Sequence, residues 1–236
     1  MARFSYDSET VERFPKVVGG AIHADGVSNR PAPAELTAAF MAEQRAVRER
    51  IGDTPLSELP TLAAWRGAFR SFGVNPTKYR SAAEALLRRL TKQGDVPSIN
   101  TLVDLANLVS IRYALPVAVF DQRAVSGGTT VRFAHGGETW ADLGSSEAQH
   151  PEPGEVIFSD EEDTVSARRW CWRQSRASAA QDDSTEILVT VEGLHDAAPD
   201  DIDRALRDLQ SLLGTYAAPA VVRSDILDAS NPVFAR

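Results

Sequence analysis

Residues 98–121, SINTLVDLANLVSIRYALPVAVFD, constrain the fold more than any other stretch of the chain. Read as a helix over 100–113, they place Asn100, Asp104 and Asn107 at i, i+4 and i+7 on one face, while Leu102, Leu105 and Val109 line another. A short apolar run, Val117 to Phe120, follows at once and reads as a strand. Buried amides and carboxylates are costly unless paired. The polar stripe therefore predicts either a hydrogen-bonded network that fixes the helix on a sheet or a surface that touches a ligand, and the spacing alone leaves both open.

The rest of the chain supplies the context. Val17 and Val18 read as a short strand closed by Gly19 and Gly20. Pro31 and Pro33 precede a helical pattern over 34–50, ended by Gly52. A second helix carries Pro60 in its first turn and Leu62, Trp65, Phe69 and Phe72 at helical spacing, with Gly73 as its stop. A third begins at Ser81 with Glu84 three residues on, a capping box, and runs to Gly94. Beyond Pro116 the texture changes to short runs at 117–120, 129–133, 155–158, 164–174 and 186–191, separated by turn formers, which read as strands. An amphipathic helix over 199–213, buried through Ile202, Leu206, Leu209 and Leu213, stops at Gly214, and a last strand lies near 220–223. The pattern predicts an α+β fold, with an N-terminal strand and helical layer (1–78) packed on a core (79–236) as one globular unit.

Charge decides which partners fit. The 236 residues carry 25 Lys+Arg against 33 Asp+Glu, a net charge of -8, which excludes a protein that coats nucleic acid through bulk positive charge. The total hides a polarised surface. Arg66, Arg70, Lys78, Arg80, Arg88, Arg89 and Lys92 occur with few acids between them, whereas the acids gather at 152–163 and 182–208. Such a basic run is either a solvated helix face or a patch that meets a polyanion. The single cysteine, Cys171, excludes an internal disulfide and suggests a reducing compartment. No run of about 20 apolar residues exists to span a bilayer, and the first residues lack an apolar signal core. The expectation is a cytoplasmic protein without a membrane or DNA partner. His23, His135, His150 and His195 show no second ligand at metal spacing, and Gly127-Gly128 and Gly136-Gly137 look like turns, so no metal and no cofactor are expected.

A resemblance emerges at the opening segment. Pro97-x-Ile99-Asn100-x-x-Val103-Asp104-x-x-Asn107, followed by Leu115-Pro116-x-x-x-Phe120-Asp121, resembles the B3/B4 domain of the bacterial phenylalanyl-tRNA synthetase β subunit. Val131-Arg132-x-Ala134-x-x-Gly137-Glu138 extends the likeness, which covers roughly residues 79–222. The chain looks like a free-standing member of that family. The resemblance implies a layered β-sandwich or mixed sheet with flanking helices, and a pocket that hydrolyses the ester of tyrosine wrongly attached to the phenylalanine tRNA. Two departures argue against carrying the tyrosine specificity over. The family's Pro-x-His-Ala-Phe-Asp strand has a histidine where this chain has Ala118, and its Met-Gly-Gly turn is replaced by Arg168-Arg169-Trp170-Cys171-Trp172-Arg173-Gln174. Glu192 stands near the family's acidic pocket residue.

As a strand, the replaced segment would put Arg168, Trp170, Trp172 and Gln174 on one side and Arg169, Cys171 and Arg173 on the other. Two tryptophans flanked by guanidinium groups suit either the stacking of a terminal adenine, the wall of an amino-acid pocket, or plain core packing. The expected function is a trans-acting aminoacyl-tRNA editing factor, a deacylase of mischarged tRNA. Asp104 and Glu192 are the catalytic candidates. Asn100, Asn107, Arg168, Trp170, Trp172, Arg173 and Gln174 are the substrate-binding ones, and Arg66, Arg70, Lys78, Arg80, Arg88 and Arg89 would contact tRNA. The alternative is a non-catalytic module that binds tRNA or an amino acid. A third is an enzyme acting on amino-acid esters or amides unrelated to tRNA. No ATP-binding domain for ligation is visible.

Overall fold

The computed structural model describes residues 3–145 and 147–235. It opens with β1 (Arg3–Tyr6), α1 (Ser8–Arg13) and β2 (Val18–Asp25). Four helices follow, α2 (Ala34–Ile51), α3 (Pro60–Ser71), α4 (Ala82–Gln93) and α5 (Thr101–Tyr113). The strands β3 (Val117–Asp121), β4 (Thr129–Phe133), β5 (Trp140–Ala141), β6 (Ala148–Gln149), β7 (Val156–Ser159), β8 (Val165–Arg168), β9 (Arg173–Gln174) and β10 (Glu186–Gly193) come next. The chain ends with α6 (Ala198–Tyr216), β11 (Val221–Leu227) and β12 (Val233–Ala235). The strands form a six-stranded sheet, β12-β1-β4-β7-β8-β9, a four-stranded antiparallel sheet, β11-β2-β10-β3, and the small pair β5-β6.

Alternation along β10 sets the layering, because neighbouring side chains in a strand point to opposite faces. Ile187, Val189 and Val191 join an aliphatic core under α2, α4, α5 and α6, with Phe40, Leu87, Leu105, Leu209 and Leu213. Leu188 joins an aromatic core between the two sheets, built from Phe4, Tyr6, Phe120, Phe158 and Trp170 with Trp65 and Phe69 of α3 and Phe72 at its C-cap. Both faces of the four-stranded sheet are thus covered, and the mixed α+β architecture is a helix layer, a sheet and a second sheet. Among the described residues no helix is long and apolar enough to cross a membrane.

The structure corrects four local readings. β2 does not close at Gly19 and Gly20 but runs through both to Asp25. The glycines are there for space: a Cβ on Gly19 would lie 2.1 Å from the Tyr6 hydroxyl, and one on Gly20 would lie 2.9 Å from Leu206 Cδ1. α6 continues through Gly214 to Tyr216. Residues 164–174 are not one strand, since β8 and β9 form a hairpin whose turn carries Arg169 (φ 46) and Trp170 (φ 60) in the left-handed region. β1, α1 and β12 were not foreseen, and they place the N-terminal segment inside the six-stranded sheet, where β1 lies between β12 and β4.

Candidate functional site

The polar stripe of α5 resolves into caps. Asn100 is the N-cap, its side chain accepting the Val103 amide at 3.0 Å. Asp104 is fully buried, and its carboxylate accepts from the Ile99 amide (2.8 Å) and the Ser98 hydroxyl. Burial raises its pKa while those two donors pull the other way. Asn100 thereby satisfies one of the N–H groups that a helix start leaves without partners, and Asp104 ties the two residues before the N-cap to the helix. Asn107 is different: its amide has no hydrogen bond to any described residue and lines an open groove of about 670 Å³ with Val103, Ala106, Val119 and the loop 179–183.

A second hollow of about 80 Å³ lies on the other face of β3. The two share Val117 and Gln174 as a wall. β3 is an edge strand, and unpaired edge groups need cover. Gln174 provides it, donating Nε2 to the Val119 carbonyl (2.6 Å) and the Ser178 carbonyl (3.1 Å). The smaller hollow is walled by Ala118, Phe120, Phe158, Trp170, Cys171 and Trp172, with Thr190 and Glu192 from β10 supplying its polar groups.

Glu192 is the centre of this hollow. It is 2% exposed, and its Oε1 accepts from the Tyr6 hydroxyl (2.7 Å) and from Trp170 Nε1 (3.0 Å). Both of these bonds fall on Oε1, no described residue bonds Oε2, and Glu192 lines the hollow. Burial pushes the carboxyl up to about 7 against the lowering effect of its two donors. The same burial, reinforced by Glu192, raises the Tyr6 phenol and the Cys171 thiol well above their ordinary values. Cys171 is therefore a neutral wall group, since the thiolate is the reactive form.

The hairpin turn explains how the bulky segment fits. Two successive left-handed residues swing Trp170 inward, where it is fully buried against Phe14 (4.9 Å between centroids) and Trp65 (5.1 Å). Arg169 and Arg173 both lie over the Trp172 ring, at 4.6 and 4.9 Å from its centroid, and Arg169 also covers Tyr79 at 3.9 Å. These rings are engaged by the protein itself, so they form a wall and not an open stacking platform. Arg168 is spent on a buried two-pronged pair with Glu155 (2.7 and 3.2 Å), and Arg173 pairs with Asp142 at 2.6 Å.

Of the sequence candidates, the smaller hollow thus gathers Glu192, Trp170, Trp172, Arg173 and Gln174. The adjoining groove gathers Asn100, Asn107 and Gln174, while Asp104 and Arg168 line neither. Sequence reasoning missed Tyr6 and Thr190. The Phe4-Ser5-Tyr6 alternation was the available signal for the first, and the period of two through Leu188 and Glu192 for the second.

One cluster could hold a cation. His135, Glu138 and Asp163 bring donor atoms within 4.8 Å of one another, a grouping invisible in the spacing because Asp163 comes from another hairpin. Arg132 occupies it already, bonding Glu138 at 2.5 Å and Asp163 at 2.6 Å. Burial opposes the ionised form of Glu138, but the amides of His135 and Gly136 together with Arg132 hold its pKa at about 2. The Val-Arg-x-Ala-x-x-Gly-Glu motif is thus a stitched turn.

The fold and site define a layered α+β domain with a small, aromatic-walled hollow that bears a buried carboxylate beside an edge strand. The B3/4 domain model matches residues 64–217, and the chain belongs to that family. It is 33% identical over 116 residues to the phenylalanine–tRNA ligase β subunit of Bradyrhizobium diazoefficiens, covering 49% of this chain and 14% of that protein. The β subunit of Mycolicibacterium paratuberculosis is 30% identical over 136 residues, 57% of this chain and 16% of that one. The chain therefore spans about a seventh of the length of these relatives. Among solved structures, an N-terminal fragment of the phenylalanyl-tRNA synthetase β subunit from Pyrococcus horikoshii aligns with a TM-score of 0.47 at 10% identity, over 95% of this chain and 50% of that one.

Proposed function

We propose that the protein is a cytoplasmic, trans-acting editing factor that hydrolyses the ester joining a wrong amino acid to tRNA. The observation that carries this reading is the buried Glu192 carboxylate, which lines an aromatic-walled hollow with only Oε1 hydrogen-bonded and whose pKa burial raises to about 7. A general base works best when its pKa lies close to the operating pH. In this reading Glu192 takes a proton from a water whose oxygen attacks the ester carbonyl carbon. Collapse of the tetrahedral intermediate expels the ribose oxygen, which recovers that proton, leaving a free amino acid and a free tRNA. The ester is already activated, so positioning and electrostatic stabilisation suffice. Trp170, Trp172 and Gln174 would shape the side-chain pocket and Arg173 would face the oxyanion. Asn107 would meet the neighbouring nucleoside, and Asp104 would hold the helix start.

Incubation with a panel of mischarged tRNAs tests this directly. Loss of the aminoacyl group from at least one of them, slowed about a hundredfold or more in Glu192→Gln, is expected. No turnover above a buffer blank would end the deacylase reading.

Ala118 favours a second reading, a binding module without catalysis, because it puts a methyl group where the resembling synthetase strand has a histidine. Unchanged affinity for charged and uncharged tRNA with no turnover in the parent protein would select it.

A further inference from the structure

α3 and α4 present their cations toward a common space. On α4, Glu84, Arg88 and Lys92 recur every four residues and share one face. The loop before α4 delivers Arg80 beside Glu84, and α3 delivers Arg66. Together with residues 51–57, Thr77 and Thr91, they enclose a groove of about 520 Å³.

The charge inside this groove is arranged, not merely accumulated. Glu84 is 6% exposed and anchors two guanidinium groups at once, Arg66 Nη1 at 2.8 Å and Arg80 Nε at 3.7 Å. Arg66 is further fixed by the Pro76 carbonyl (3.3 Å) and the Thr77 hydroxyl (3.4 Å). One carboxylate cannot neutralise two cations, so a positive charge is held in place. Arg88 and Lys92 add two more, and neither has an ion pair with any described residue. Asp53 is the other acid lining the groove. Four cations against two acids form a positive concavity on a chain of net charge -8, and a cleft of one sign focuses field and raises the local concentration of counter-charge.

We infer that this groove binds the phosphodiester backbone of RNA, with Arg66 and Arg80 as the anchored pair and Arg88 and Lys92 as the exposed, unpaired one. The inference rests on the tRNA reading above for the carrier of the phosphates. It also divides the basic residues of this region. Arg89 turns to the Asp95 carbonyl at 3.2 Å, and Arg70 and Lys78 lie outside the groove lining.

The test measures binding of uncharged tRNA as a function of salt, so no hydrolysis is required. The double variant Arg88→Gln/Lys92→Gln alters two exposed helix positions and leaves the Glu84 anchor intact. Its affinity is expected to fall about tenfold or more, and the slope of log affinity against log salt to shrink by about 1 to 2. Arg204→Gln/Arg207→Gln, which removes the same charge from α6, should bind as the parent does. Equal affinity and slope in the groove variant and the parent would overturn the inference. Hydrolytic failure with groove-dependent binding would sink the editing reading alone. Turnover in the parent with groove-independent binding would sink this one alone.

Discussion

On the helix-covered face of the four-stranded sheet, β10 buries Ile187, Val189 and Val191 among aliphatic side chains; on the opposite face the same strand sends Leu188, Thr190 and Glu192 toward aromatic ones. Under the helices, Gln44 and Asp104 spend their polar atoms on partners within the fold. Gln44 exchanges hydrogen bonds with Val96, and Asp104 accepts from Ile99 and Ser98. On the aromatic side, Glu192 lines a hollow with one oxygen bonded twice and the other bonded by no described residue. A buried carboxylate with an open oxygen costs stability. The contrast teaches that the helix face secures the fold while the aromatic face retains an expensive group, and such expense is commonest at functional sites.

Lesions on the two faces should therefore separate. Leu105→Ala removes a fully buried side chain from the aliphatic core. Thermal or urea unfolding should show a loss of about 2 to 5 kcal/mol, with turnover per folded molecule unchanged. A parallel loss of turnover would erase the distinction between the faces.

Glu192→Gln should do the reverse. The folded carboxyl titrates at about 7, above its ordinary 4.5, so the native state holds that proton more tightly than the unfolded chain. Its ionisation costs nothing below pH 4.5, destabilises progressively from 4.5 to 7, and costs about 3 kcal/mol above that. Urea titrations across this range should show the parent losing that amount and the variant not. Asp104→Ala comes next, with a loss of about 2 kcal/mol from its two buried hydrogen bonds and no change in the pH dependence of turnover. Tyr6→Phe is the smallest. Removing one donor to the ionised carboxylate should move the midpoint of the pH–rate profile up by about one unit.

The legible parts of this fold are those with local causes. The Ser81 cap of α4 accepts the Glu84 amide at 3.3 Å, as the motif implies, although the Glu84 carboxylate turns to Arg66 instead of closing the box. The α5 stripe divides between the two roles its spacing allows: Asn100 and Asp104 are hydrogen-bonded within the fold, while Asn107 makes no hydrogen bond to a described residue. What escaped had distant causes. Gly19 reads as a strand stop because nothing nearby shows that the Tyr6 hydroxyl needs its missing Cβ. The turn at Arg169 and Trp170 lacks a glycine to announce its left-handed backbone, so the segment reads as continuous strand. The reach of Tyr6 to Glu192 spans almost the whole chain and no spacing rule carries it.

Whether Glu192 acts on the ester is decided by the pH–rate profile of deacylation for the parent and for Glu192→Gln, on whichever mischarged tRNA the parent turns over fastest. The parent rate should rise with a midpoint of about 7 and level off above it. The variant should be slower by about a hundredfold or more at the plateau and show no such midpoint. A variant with the parent's rate and the parent's profile would contradict the assignment of Glu192 as the group that acts on the ester.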